Sequence, residues 1–152
     1  MTETMSIIHN SPTAPEPMGA YPHARREGNL LFLSGIGPRK RGSKEIPGVT
    51  LRPDGSIDGY DIAAQTRSVF ANVRAVLESA GARWEDLVDV TVFLTNMADD
   101  FPIYNRLWAE YFPENPPCRT TVGITALPTP IAIELKCIAV VRNQEEAGSS
   151  TS

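Results

Sequence analysis

Glu134 stands near the middle of PIAIELKCIAVV, residues 130–141, a run so apolar and β-branched that it reads as a strand buried on both faces. A carboxylate in such a place is paired, exposed by an opening in the fold, or used in chemistry. Fifteen residues earlier Arg119 opens another extended run, directly after Pro116-Pro117-Cys118. The prolines fix the chain before it, and its planar guanidinium matches a carboxylate through two parallel hydrogen bonds. Two arrangements follow. Arg119 pairs with Glu134 across a hairpin, or Arg119 orients an acidic substrate while Glu134 polarises a water molecule. Both expect the two side chains to lie close together.

The other reactive side chains offer less. Cys118 has no histidine near it in sequence to act as a base, and Cys137 falls in the apolar run and reads as core. His9 and His23 sit in a proline-rich lead-in and read as exposed. Tyr21, between Gly19-Ala20 and Pro22, is a packed loop aromatic or a hydroxyl donor to a ligand. GIGPRKRG (35–42) has neither phosphate-loop spacing, so Arg39, Lys40 and Arg41 form a solvated basic turn or meet a second negative group.

Bulk properties narrow the field. The 152 residues suit one domain, and a net charge of −4 gives no reason to expect nucleic acid or an anionic membrane as partner. Two cysteines and two distant histidines make neither a disulfide framework nor a metal-ligand spacing. The first residues lack a basic stretch followed by an apolar one, and the apolar runs are strand length. A cytoplasmic protein without metal or organic cofactor is expected.

The elements that must position Glu134 and Arg119 are legible in outline. Residues 1–16 are extended, with a short strand around Met5–His9, and NLLFLSGIG (29–37) is a strand running into a turn. Residues 38–60 form a long loop with a hairpin at Asp54-Gly55. Ile62, Thr66, Val69, Val73, Val76, Leu77 and Ala80 line one face of a helix capped by Asp58 or Asp61 and ended at Gly81. In VDVTVFLT (88–95), Val88, Val90, Val92 and Leu94 share one face of a strand. A second helix follows, capped by Asp99 or Asp100, with Pro102 in its first turn and Pro113 stopping it. RTTVGIT (119–125) and 131–141 then close the domain as a hairpin around Leu127–Pro130. The result is an α+β domain spanning 17–141, two helices on one face of a mixed β-sheet, with 142–152 as a disordered tail. Two helices cover one side only. The other, apolar side needs a second copy of the chain.

Three stretches carry a resemblance: GAYPHARREGNLLFLSGIGP, DIAAQTRSVFANVRAVLESAGARWEDLVDVTVFLTNMADDFPIYNRLWAEYF and CRTTVGITALPTPIAIELKCIAVV. In order, they resemble the Rid (YjgF-like) family of enamine/imine deaminases over roughly residues 17–141. The resemblance implies a chorismate-mutase-like α+β domain, assembled as a trimer with a central barrel, or a hexamer of stacked trimers, with sites in clefts between subunits. It implies Arg119 as the substrate-carboxylate anchor, Glu134 as the residue that positions water, Tyr21 at the cleft mouth and Asn105 on the second helix near the site. Many deaminating members carry Cys two residues after the arginine, where this chain has Thr121. Within the family the long loop is similar to that of 2-aminomuconate deaminases. A cation from Arg39, Lys40 or Arg41 suits the far carboxylate of such a dicarboxylate enamine, whose hydrolysis gives 4-oxalocrotonate and ammonia without a cofactor. A generalist deaminase of small enamines such as 2-aminoacrylate and a non-catalytic binding protein are the alternatives.

Overall fold

The computed structural model describes residues 5–142. Eight strands and two helices run β1 (Ser6–His9), β2 (Ala24–Glu27), β3 (Leu30–Leu33), β4 (Val49–Leu51), β5 (Ile57–Tyr60), α1 (Ile62–Ser79), β6 (Leu87–Leu94), α2 (Met97–Tyr111), β7 (Cys118–Gly123) and β8 (Ile133–Val140). Six strands make one sheet in the order β1-β2-β3-β8-β6-β7, while β4 and β5 pair as a separate hairpin inside the long loop. All neighbours in the large sheet are antiparallel except β6 and β7, which run parallel on either side of the α2 crossover. This is the expected mixed sheet with both helices on one face.

One expectation fails here. β7 and β8 are not a hairpin, because β6 lies between them and pairs with both. The α2 crossover returns the chain parallel to β6 at the sheet edge. The segment between Gly123 and Ile133 then carries it over to the far side of β6.

α1 forms because its apolar residues recur on one face, and Ile62, Gln65, Thr66, Val69, Phe70, Val73, Val76 and Leu77 are buried there. Asp61 caps it by accepting from the backbone N–H groups of Ala63 and Ala64. Gly81, at φ +79°, gives the left-handed turn that ends it. α2 starts earlier than the sequence suggests. Asn96, not Asp99 or Asp100, is the cap, its Oδ1 accepting from Asp99 N. Pro102 therefore sits in the second turn rather than the first. Strand β6 also departs from simple alternation: its register shifts between Leu87 and Asp89, which leaves Val88 exposed while Leu87, Val90, Val92 and Leu94 face the core.

Between the helices Phe70, Trp84, Trp108, Tyr111 and Phe112 pack as an aromatic cluster, with Trp84 and Phe112 stacked at 4.7 Å. Among the described residues no helix lies on the opposite sheet face. There Leu30 is exposed, and Phe32, Phe93, Val122, Ile138 and Val140 are only partly covered, so an apolar surface lies open on the single chain.

The β4–β5 hairpin is latched to α2. Tyr60 Oη donates to Oδ2 of the buried Asp100 at 2.6 Å. Burial pushes the Asp100 carboxyl above the usual carboxylate range, and burial together with that carboxylate pushes the Tyr60 phenol up to about 12. Tyr60→Phe leaves Asp100 without this donor and is expected to cost about 1–3 kcal/mol, read as a lower urea midpoint. An unchanged midpoint would show that the latch contributes nothing. No helix among the described residues is long and apolar enough to cross a membrane. Residues 143–152, expected to be a disordered tail, lie outside the described residues.

Candidate active site

Glu134 projects from β8 onto the helix-free face, opposite Phe93 of β6. It lines a small pocket of about 40 Å³ with Met18, Tyr21, Gly35, Gly37, Arg39, Pro128, Thr129 and Ile131. The space for its carboxylate comes from Gly35: a Cβ there would lie 2.9 Å from Glu134 Oε2 and 3.0 Å from Cδ. Burial raises the Glu134 carboxyl above the usual range, and the Arg39 charge opposes that rise. No ion pair to Glu134 forms among the described residues. A half-buried carboxylate that prefers its proton more than an exposed one does suits transfer of a proton to and from water.

The wall of this pocket is made by the N-terminal segment folded back on the loop. Arg39 Nη2 donates to Glu16 O at 2.8 Å. Arg41 Nη1 donates to Ser11 O and Ala14 O, and its Nε lies 3.4 Å from Glu16 Oε1. Tyr21 remains 46% exposed at the mouth, its hydroxyl accepting from Met18 N at 3.1 Å. Of the three basic loop residues, Arg39 reaches the pocket, Arg41 is committed to the N-terminal segment, and Lys40 is exposed.

The histidines differ from expectation. His23 is buried, with Nδ1 accepting from Ser11 N at 2.8 Å and Nε2 bonded to Pro15 O at 2.7 Å. It staples the fold-back that a proline-rich composition conceals. His9 is half-buried rather than exposed, its Nε2 without a partner among the described residues.

Arg119 lies elsewhere. It pairs in register with Val90 of β6, whose side chain is in the core under the helices, so Arg119 belongs to the helix face. Its guanidinium carbon sits 5.0 Å from the Trp108 ring centroid, 5.2 Å from Tyr104 and 5.8 Å from Phe101. These rings surround the cation, a seat worth about 0.5–2 kcal/mol. Thr121, two residues on, shares that face, and its Oγ1 lies 2.9 Å from Tyr104 Oη. Asn105 is exposed on α2 beside Tyr104. Arg119 and Glu134 therefore occupy opposite faces of the sheet with β6 between them. The reading in which they pair across a β7–β8 hairpin is overturned, because that hairpin does not exist. The aromatic seat of Phe101, Tyr104 and Trp108 was missed, since helical periodicity does not mark which rings of α2 meet a residue of a distant strand.

Two helices on one face of a mixed six-stranded sheet, with the opposite face open, define the chorismate-mutase-like class of α+β domain. The chain belongs to the Rid (YjgF-like) family: the family profile described as endoribonuclease L-PSP matches residues 11–141. A RutC family protein of Pyrococcus horikoshii is 40% identical over 127 residues, spanning 83% of this chain and 90% of that one. A 2-iminobutanoate/2-iminopropanoate deaminase of Dermatophagoides farinae is 34% identical over 135 residues, 88% of this chain and 95% of its own. Among solved structures the E. coli YjgF gene product superposes with a TM-score of 0.76 at 31% identity, covering 90% of this chain and all of that one.

Proposed function

We propose that the protein is a cofactor-independent enamine/imine deaminase of the cytoplasm, acting on 2-amino-enoate substrates at a site shared between copies of the chain. The carrying observation is Glu134, a half-buried carboxylate without an ion-pair partner among the described residues, held in a pocket beside Arg39. The substrate enamine is first protonated at carbon to give its imine tautomer. Glu134 takes a proton from water as the oxygen adds at C2 of the protonated imine, returns it to the carbinolamine nitrogen, and takes the hydroxyl proton as the carbinolamine collapses to the ketone and ammonia. Arg119 of a neighbouring copy is the anchor for the carboxylate beside C2. Its placement on the far face of its own sheet supports a site completed by that second copy, and the open apolar face is the surface by which a trimer, or a hexamer of stacked trimers, would assemble. Tyr21 closes the mouth of this shared cleft, and Asn105 and Thr121 accompany Arg119.

Within that class the reading is 2-aminomuconate deaminase, releasing 4-oxalocrotonate and ammonia in aromatic catabolism. Arg39 supports it, as a cation in the pocket that a monocarboxylate would not need. The name of the Dermatophagoides relative favours a second reading, a generalist on 2-iminobutanoate and 2-iminopropanoate. The ribonuclease activity in the family description finds little support in a chain of net charge −4. Ammonia release from 2-aminomuconate, generated in situ, against release from 2-aminoacrylate separates the readings. Fast turnover of the dicarboxylate alone is expected. Comparable rates mean a generalist, and no release from either removes the deaminase.

A further inference from the structure

The chain that carries Arg39 leaves the sheet early. Ile36 still exchanges backbone hydrogen bonds with Leu135, 2.9 Å in each direction, but among the described residues no strand pairs with Gly37, Pro38 and Arg39. Their three carbonyls are instead taken by one face of α1. Asn72 Nδ2 donates to Gly37 O and to Arg39 O, each at 2.8 Å, and Ser68 Oγ donates to Pro38 O at 2.8 Å. Ser68 and Asn72 are four residues apart, so they project together one turn from each other. An amide using both hydrogens on carbonyls two residues apart fixes the path of the peptide between them. From that fixed path the Arg39 side chain passes along the pocket to Glu16 O, near enough to Glu134 for its charge to act on the carboxylate.

We infer that Asn72, which does not line the pocket, is a positioning residue that sets Arg39 beside Glu134 and thereby gives the site its preference for a second substrate carboxylate. The inference rests on the deaminase reading above and deepens it. Its mechanism is entropic: a clamped backbone presents the guanidinium at one place, whereas a free loop spreads it over many. Arg39 and Tyr21 line the pocket with Glu134, and Lys136 follows two residues along β8, its ammonium turned to Leu33 O. β6 opposes Glu134 with Phe93, which does not titrate. Arg39 is thus the charged pocket neighbour whose position the clamp controls.

The test is a double-mutant cycle with Asn72→Ala, Arg39→Ala and both together. The first readout is kcat/KM for 2-aminomuconate divided by that for 2-aminoacrylate. Each single substitution is expected to lower this ratio about tenfold, with the double no lower than either. The second readout needs no turnover. The Glu134 carboxyl is followed by ¹³C NMR titration, and its midpoint is expected to rise in both single variants and no further in the double. Equal losses on both substrates, or additive effects in the cycle, would reduce Asn72 to a stability role and overturn the inference. A non-additive NMR cycle in a protein that deaminates neither substrate would instead discard the deaminase reading and keep the clamp. Should Asn72→Ala fail to fold, Ser68→Ala removes one of the three anchors and is expected to move both readouts the same way, less far. No movement there would count against the inference.

Discussion

Glu134→Gln is expected to lower kcat on the enamine substrate by about 10²- to 10⁴-fold, with KM close to wild type. The amide fills the same space against Gly35 but neither accepts a proton from water nor returns one to nitrogen. In the wild type the limb of the rate profile on the acid side should fall at a higher pH than an exposed glutamate would give, because burial raises this carboxyl. The same shift has a consequence for stability, of opposite sign to that of a salt-bridged acid. A carboxyl that binds its proton more tightly when folded contributes stability fully below its unfolded pKa, and loses that contribution as pH rises through the raised folded value. The glutamine variant, uncharged throughout, should therefore melt at or above the wild type at neutral pH and lose any advantage in acid. Steady-state kinetics and thermal melts across pH read both effects. A kcat within tenfold of wild type would remove Glu134 from the chemistry.

Mixing two inactive variants should restore activity. In the proposed mechanism Arg119→Ala lacks the anchor and Glu134→Gln lacks the base, and each alone is expected to be nearly silent. If every site takes Glu134 from one copy and Arg119 from its neighbour, equal random mixing rebuilds about a quarter of the sites intact. That fraction follows because a native site needs the Arg119→Ala chain on one side and the Glu134→Gln chain on the other. Within one chain the two side chains sit on opposite faces of the sheet, so no rearrangement short of unfolding brings them together. Co-expressed mixed oligomers, checked by native mass spectrometry, should show the regain in ammonia release. Its absence in oligomers that do contain both chains would separate Arg119 from the site that Glu134 serves.

The sequence carried what is periodic. The apolar face of α1, the Asp54-Gly55 hairpin and the uncovered second sheet face all follow from local patterning and stand in the structure, and of the two caps offered for α1, Asp58 or Asp61, it is Asp61 that serves. What it could not carry was strand order. Proximity of RTTVGIT to 131–141 in the chain suggested a hairpin, yet the parallel partner of β7 is β6, reached through α2. Parallel pairing leaves no turn signature, since the connection is a helix that has its own reasons to exist. That one misplacement moved Arg119 from beside Glu134 to the other face. His23 escaped for a different reason. Its role depends on where Ser11 and Pro15 fold back, and proline-rich segments carry no periodicity to announce a tertiary contact. Arg39 and Arg41 both bond the fold-back, but only Arg39 also lines the pocket, a difference that two basic residues of one loop do not show in sequence.

The fold-back is held through main-chain oxygens. Arg39 and Arg41 donate to carbonyls of Ser11, Ala14 and Glu16, and His23 bonds the carbonyl of Pro15. Every amino acid supplies such an oxygen. Evolutionary drift at the exposed positions Pro12, Thr13 and Glu16 can therefore exchange side chains while the pocket wall stays intact, whereas Ala14 is fully buried and admits no larger side chain. A single inserted or deleted residue between His9 and Tyr21 would instead slide every acceptor out of reach at once. Among related chains carrying the same loop arginines, this stretch should vary in letters and keep its length.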